Sequence, residues 1–257
     1  MKKSLIRRLL VLLATLATII INAMANILRY NNLGTGEVSA RFDNYFVPAG
    51  YVFAIWGVIY IGLLLYAIYQ ALPAQAENPT LKAIAPAYII SSVANCIWLF
   101  LWHFLQIELT IVFMIVILVS LLVMYLRLNV GKSHVSKAMR WLVHVPFSIY
   151  LGWISVATIA NASALLSHLD PPWAGWGISP AVWAIIMMAV TMLLAFLMAA
   201  IRQDTAYNLV VIWALVGIGV KQITVLLVSI AAFIFAGVVF VLWALVLLVQ
   251  PGKNKLA

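Results

Sequence analysis

Acidic side chains are scarce in this chain: six Asp and Glu among 257 residues, with charged residues of either sign making up only 8%. So little charge cannot clothe a protein of this size for water, which excludes an ordinary soluble globule. Cysteine is nearly absent as well. Cys96 is the single one and lies inside an apolar run, so an intrachain disulfide, a CxxC pair and a Cys/His metal motif are all excluded. The four histidines, His103, His134, His144 and His168, lack the i, i+4 pairing of a helix-borne metal site. The apolar runs carry essentially no charge, which argues against a proton-coupled pump or a voltage sensor; Lys221 stands at the end of a run and can snorkel.

What the chain does have is hydrophobicity: 67% apolar residues and a mean hydropathy of +1.14. A helix needs about 20 residues to cross the hydrocarbon layer, because in lipid every backbone N–H and C=O must be satisfied within the segment. Apolar stretches of that kind are expected at approximately residues 9 to 28, 50 to 72, 83 to 104, 108 to 127, 141 to 165, 181 to 201, 205 to 220 and 223 to 249. The fold class is therefore all-α, a polytopic transmembrane bundle of about eight spans. Only Lys221 and Gln222 interrupt the run from Leu209 to Leu248, but one helix of that length would overshoot any bilayer, so two are required. Pro73, Pro79, Pro171, Pro172 and Pro180 mark helix ends and starts.

The 15 basic residues, with a net charge of +9, form no single patch, so nucleic acid is not an expected partner; the lipid bilayer is. Their placement sets topology instead. With the N-terminus inside, Lys2, Lys3, Arg7, Arg8, Lys82, Arg127, Lys132, Lys137, Arg140, Arg202, Lys253 and Lys255 are cytoplasmic, and only Arg29, Arg41 and Lys221 are outside. Both termini are then cytoplasmic, and helical spans point to a bacterial inner membrane rather than to an outer-membrane barrel. The N-terminal MKKSLIRR, an apolar run and Ala23-Met24-Ala25 also fit a cleavable signal, but the apolar run continues to Leu28 and is long enough to stay as a first helix.

Polar and aromatic residues fall on single helix faces inside the spans: Thr15, Thr18, Asn22 and Asn26 in the first; Ser91, Asn95, Trp98 and Trp102 in the third; Trp153, Ala157 and Asn161 in the fifth. Amides facing lipid would be wasted, so these stripes are expected to face the bundle interior. There they either make interhelical hydrogen bonds and small-residue contacts, such as Ala160-xxx-Ala164, or line a cavity for a large flat apolar ligand. The longest polar stretch, Arg29 to Gly50, carries Phe42, Tyr45 and Phe46, which either anchor at the interface or form a lid.

These segments resemble the TspO/MBR family, the tryptophan-rich sensory proteins related to the mitochondrial translocator protein. Trp153-Ile-Ser-Val-Ala157-Thr-Ile-Ala-Asn161 is similar to the family's fifth-helix pattern. Val47-Pro48-Ala-Gly-Tyr-Val-Phe53-Ala-Ile-Trp56-Gly-Val-Ile-Tyr60 is similar to its second-helix start, and Asn95-Cys-Ile-Trp98 to its third-helix Asn-x-x-Trp. The chain departs from the pattern in three places. One of the paired prolines is missing, Phe53 and Trp56 are three apart rather than four, and Ile149 stands where a proline precedes the tyrosine.

The resemblance covers about residues 5 to 165. It implies a five-helix bundle at 1–168, with 169–257 as a three-helix extension that packs beside the bundle or closes it. It also implies a hydrophobic ligand, a porphyrin or haem among the candidates, with no obligatory cofactor. The residues it points to are Phe53, Trp56, Tyr60, Asn95, Trp98, Trp153, Ala157 and Asn161, with Trp56 and Trp153 stacking on the ligand and Asn95 supplying an amide. A homodimer is left open. Three functions compete: a sensory or binding protein, a transporter of an amphipathic solute, for which Gly217 and Gly219 are the one hint of a broken helix, and an enzyme acting on a bound porphyrin. No Ser/His/Asp set or carboxylate pair within a span supports the last.

Overall fold

The computed structural model describes residues 2–42, 44–169 and 177–249. Pro171, Pro172, Lys253 and Lys255, on which parts of the sequence reading rest, lie outside them, as does Asp43. Eight long helices dominate: α1 Lys2–Ile27, α2 Ile55–Ala71, α3 Pro79–His103, α4 Ile107–Leu128, α5 Val145–His168, α6 Pro180–Arg202, α7 Thr205–Lys221 and α8 Leu226–Val249. Seven helical segments are long and apolar enough to cross a membrane; α7, at 17 residues, is apolar but shorter. The chain is an all-α polytopic integral membrane protein.

Helix boundaries follow from local chemistry. Asn78 caps α3 by accepting from the N–H groups of Thr80 and Leu81, with Pro79 as the first helical residue. Ser179 and Pro180 do the same for α6, and Asp204 caps α7 through the Tyr207 N–H at 3.1 Å. A π-helical turn, Arg140–His144, precedes α5 and adds to the length of the fifth span.

The helices α1 to α5 surround a shared interior, and α7 packs on α5, with α6 and α8 packed in turn against α7. Outward faces are lined by side chains such as Leu13, Ile61, Val119 and Leu226, as lipid contact requires. The polar stripes turn inward. Thr15 and the Tyr88 hydroxyl are 2.6 Å apart across α1 and α3, Asn22 donates to Asn95 at 2.8 Å, and Asn95 donates to the Tyr150 hydroxyl on α5 at 3.4 Å. Such bonds are worth about 0.6–2 kcal/mol each inside a membrane. At the end that carries the N-terminus of α1, the Arg8 guanidinium donates to the Ala71 carbonyl and Arg7 and Ser4 donate to that of Ala76, so the first helix is tied into the bundle at both ends.

The C-terminal helices are joined to the rest by two polar clasps. At the basic end, Asp204 is buried and accepts from the Tyr125 hydroxyl at 2.8 Å and the Ser148 hydroxyl at 2.7 Å, binding the α6–α7 turn to α4 and α5. At the opposite end, the Ala49 N–H donates to the Gly217 carbonyl at 3.0 Å and the Trp213 indole donates to the Val52 carbonyl at 3.1 Å. These three helices therefore flank the bundle through α5 and the turn that leads into α2.

Gly217 and Gly219 do not break α7, which runs unbroken from Thr205 to Lys221. They permit close approach instead: a Cβ on Gly217 would stand 2.2 Å from Val52 Cγ2, and one on Gly219 2.9 Å from the Phe233 ring. The hint of a discontinuous transporter helix thus has a packing explanation. Gly217→Ala is expected to destabilise the protein by about 1–3 kcal/mol through overpacking, measured as a lower Tm in detergent. Adding Val52→Ala should return part of the loss, and equal Tm values for the wild type and the single variant would refute the contact.

Candidate functional site: an aromatic cavity at the loop end

Where α2, α3 and α5 converge below the Arg29–Gly50 loop, a cavity of about 30 Å³ is walled by Phe53 and Trp56, Trp98 and Trp102, and Trp153, Val156, Ala157, Ala160 and Asn161, with Ser39 and Pro48 above. Helical spacing explains the assembly. Trp98 and Trp102 are one turn apart on α3; Trp153, Ala157 and Asn161 are successive turns of one α5 face. Phe53 is carried by the short 3-10 turn Gly50–Ala54 that leads into α2.

The rings form a continuous set. Trp98 and Trp102 stack with centroids 5.6 Å apart, Trp56 lies 6.3 Å from Trp98, and Trp153 meets Trp56 edge-on at 6.2 Å and Phe53 edge-on at 5.8 Å. Pairs of this geometry contribute about 0.5–1.5 kcal/mol beyond the area they bury. The indole N–H groups differ. Trp98 donates to the Asn161 Oδ1 at 3.3 Å, and Asn161 in turn donates to Thr110 on α4 at 2.7 Å. Trp102 donates to the Thr35 carbonyl at 3.1 Å. Trp153 is 3% exposed, and its Nε1 has no hydrogen-bond partner. A buried donor left empty costs about 1–3 kcal/mol, which an acceptor on a bound molecule would recover.

Of the residues expected at the site, Phe53, Trp56, Trp98, Trp153, Ala157 and Asn161 stand together on this wall. Tyr60 stacks on Trp56 at 5.7 Å, behind the lining. Asn95 is fully buried and occupied by Asn22 and Tyr150, so its amide joins helices and is not part of the lining. Trp102 joins the wall from the α3 stripe already visible in sequence. Ser39 and Pro48 come from the loop, and no periodicity marked them. Ala160, legible as a packing partner of Ala164, contributes a small side chain to the cavity.

The loop lies over the cavity and does not trail away from it. The one-turn helix Thr35–Ser39 is fixed by Glu37, whose carboxylate accepts from the Gly34 N–H at 3.1 Å and pairs with Arg29. Phe42 packs against Trp102 at 5.8 Å and edge-on to His168 at 6.0 Å, and Tyr30 stacks on Phe100 at 5.2 Å. Of the three loop aromatics read as anchor or lid, Phe42 lies against Trp102 of the cavity wall. Phe46, at 1% exposure, is a core residue.

A chain of membrane-spanning helices that encloses a tryptophan-lined cavity beneath a long ordered loop is a membrane protein of the ligand-binding, sensory or transport class. A family model described as TSPO-like protein matches residues 8–245, and the chain belongs to that family. The match continues through α6 and α7 and most of α8, well past the five helices in which the resemblance was first legible. No curated protein and no solved structure matches the chain.

The Gly34 N–H and Arg29 hold the Glu37 carboxyl below its usual value. A group whose folded pKa is depressed contributes stability that is present above its unfolded value, near 4.5, and is lost as pH falls through the lowered one. Protection of the amides of residues 34–41 against hydrogen exchange, taken relative to their intrinsic rates at each pH, is therefore expected to be high at pH 6 and to be lost as pH falls through the lowered carboxyl value. In Glu37→Gln protection should be low throughout, and no difference between the two proteins would remove Glu37 as the fastening of the loop.

Proposed function

We propose that the protein binds a large, flat, aromatic ligand of porphyrin type between α2, α3 and α5, as a sensory or binding protein. The observation that carries the reading is the unpartnered Trp153 indole N–H in a wall otherwise made of ring faces and small side chains. An apolar disc satisfies the rings, and one acceptor on it satisfies the donor.

The cavity as it stands, about 30 Å³, has room for no more than a few waters, whereas pockets for such ligands run to about 300–1,000 Å³. Binding therefore requires the rings to part. The cost is contained, because a flat aromatic inserted between Trp56 and Trp98 or Trp153 replaces ring–ring contacts with ring–ligand contacts of the same kind. The Phe42 lid and the Gly50–Ala54 turn are the elements that would have to shift, and both lie at the loop end, where a ligand enters without crossing the bundle. The asymmetry of basic residues supports an orientation with termini in the cytoplasm of a bacterial cell and this mouth facing outward.

Titration of the detergent-solubilised protein with protoporphyrin is expected to quench tryptophan fluorescence saturably, with a Kd in the low micromolar range, about −8 kcal/mol. Ala157→Phe, which fills the cavity from α5, should weaken binding at least about tenfold, and Trp153→Phe, which removes the free donor, by about three- to tenfold. Asn95→Ala should act on thermal stability rather than on affinity. Non-saturable quenching, or equal affinity in all variants, would return the aromatic wall to simple core packing. Turnover in a vesicle uptake assay, in place of stoichiometric binding, would assign the same cavity to a carrier.

A further inference from the structure

A second cavity lies directly above the first and differs from it in every physical respect. It measures about 260 Å³, is predominantly polar, and is lined by Arg41, Phe42, Asn44 and Tyr45 from the long loop and by Lys221 and Gln222 from the α7–α8 turn. Arg41 and Lys221 are two of the three basic residues at this end. The third, Arg29, is paired with Glu37. Glu37 also feels the charge of Arg41 at longer range, but neither Arg41 nor Lys221 has a carboxylate within ion-pair distance among the described residues. Two cations with no carboxylate partner among the described residues, around a roomy polar cavity, constitute an anion site by charge and by hydrogen-bond capacity.

The two cavities share a wall. Ser39 and Pro48 line the aromatic one, and their chain neighbours Ala40 and Val47 line the polar one. Phe42 belongs to the polar cavity, and its ring stands 5.8 Å from that of Trp102 in the aromatic one. A single molecule can therefore occupy both, once Phe42 turns aside. We infer that the ligand is an amphipathic anion, an aromatic body that enters the tryptophan cavity and carries carboxylate groups held at the mouth by Arg41 and Lys221. This inference rests on the binding reading above and narrows it to acids. It also gives the α7–α8 turn, and so the C-terminal helices, a direct part in recognition: Lys221 is the cation that the first five helices do not provide.

The test compares protoporphyrin, a dicarboxylic acid, with its dimethyl ester, which keeps the ring and removes both charges. In wild-type protein the acid is expected to bind roughly tenfold or more tightly than the ester, and its affinity to fall as salt is raised. Arg41→Gln and Lys221→Gln should each weaken the acid about fivefold or more and leave the ester unchanged. Lys132→Gln, which removes a cation at the opposite end of the bundle, should alter neither. Equal binding of acid and ester, or an equal loss of both in the two variants, overturns the anion site while leaving the aromatic cavity standing. Failure of both ligands to bind the wild type overturns the aromatic reading and this one with it.

Discussion

Inside an apolar bundle an amide cannot turn to water, and most of this architecture follows from where the amides go. Asn95 is the centre of that constraint. It accepts from α1 through Asn22 and donates to α5 through Tyr150, so one fully buried side chain on α3 fixes the separation of three helices. A second amide, Asn161, ties α3 to α4 and α5 through Trp98 and Thr110. Because these bonds are made near the aromatic cavity, they also set the positions of the indoles that wall it. The cavity is thus a by-product of helices held at fixed spacing by polar groups, with rings filling what remains.

That origin explains why the cavity is small and yet suited to opening. The rings are held to one another mainly by face and edge contacts, which a planar guest can reproduce, whereas the amides behind them are paired and have little to gain from rearrangement. Tyr60, stacked on Trp56 from behind, and Asn161, holding the Trp98 indole, limit how far those two rings can move. Trp153 has no such restraint on its N–H. The wall therefore combines three positioned indoles, those of Trp56, Trp98 and Trp102, with one whose hydrogen-bonding capacity is unspent.

Much of this was legible in the residues. Run length and charge placement disclosed the eight helices, because the bilayer imposes one length on all of them, and α7 was recognisable as the shortest. Helical spacing also brought out the inward stripes on α1, α3 and α5, and from them Trp98, Trp153, Ala157 and Asn161 reach one wall, where Phe53 and Trp56, legible through the family resemblance, join them. What spacing could not reveal is which polar residue on a stripe is committed to another helix. Asn95 and Asn161 look alike in sequence, and only the registers of α1 and α4 decide that the first sits within the bundle and the second at the cavity. The loop contribution was hidden for a different reason. Ser39, Pro48 and Phe42 follow no period, and their roles depend on how the loop folds back over α3. Gly217 pointed toward a broken helix, but a helix against which a neighbouring side chain such as Val52 packs this closely needs glycine just as much.

The position of α7 has a mechanical consequence. Its 17 residues form a rod about 25 Å long. Near one end Gly217 and Trp213 grip the main chain at Ala49 and Val52, beside the mouth; at the other, Asp204 grips α4 and α5 through Tyr125 and Ser148. A stiff rod anchored at both ends transmits displacement rather than absorbing it. Movement of the mouth turn either strains the distant carboxylate clasp or is resisted by it, which gives the two faces of the bundle a common lever even though no side chain reaches from one to the other.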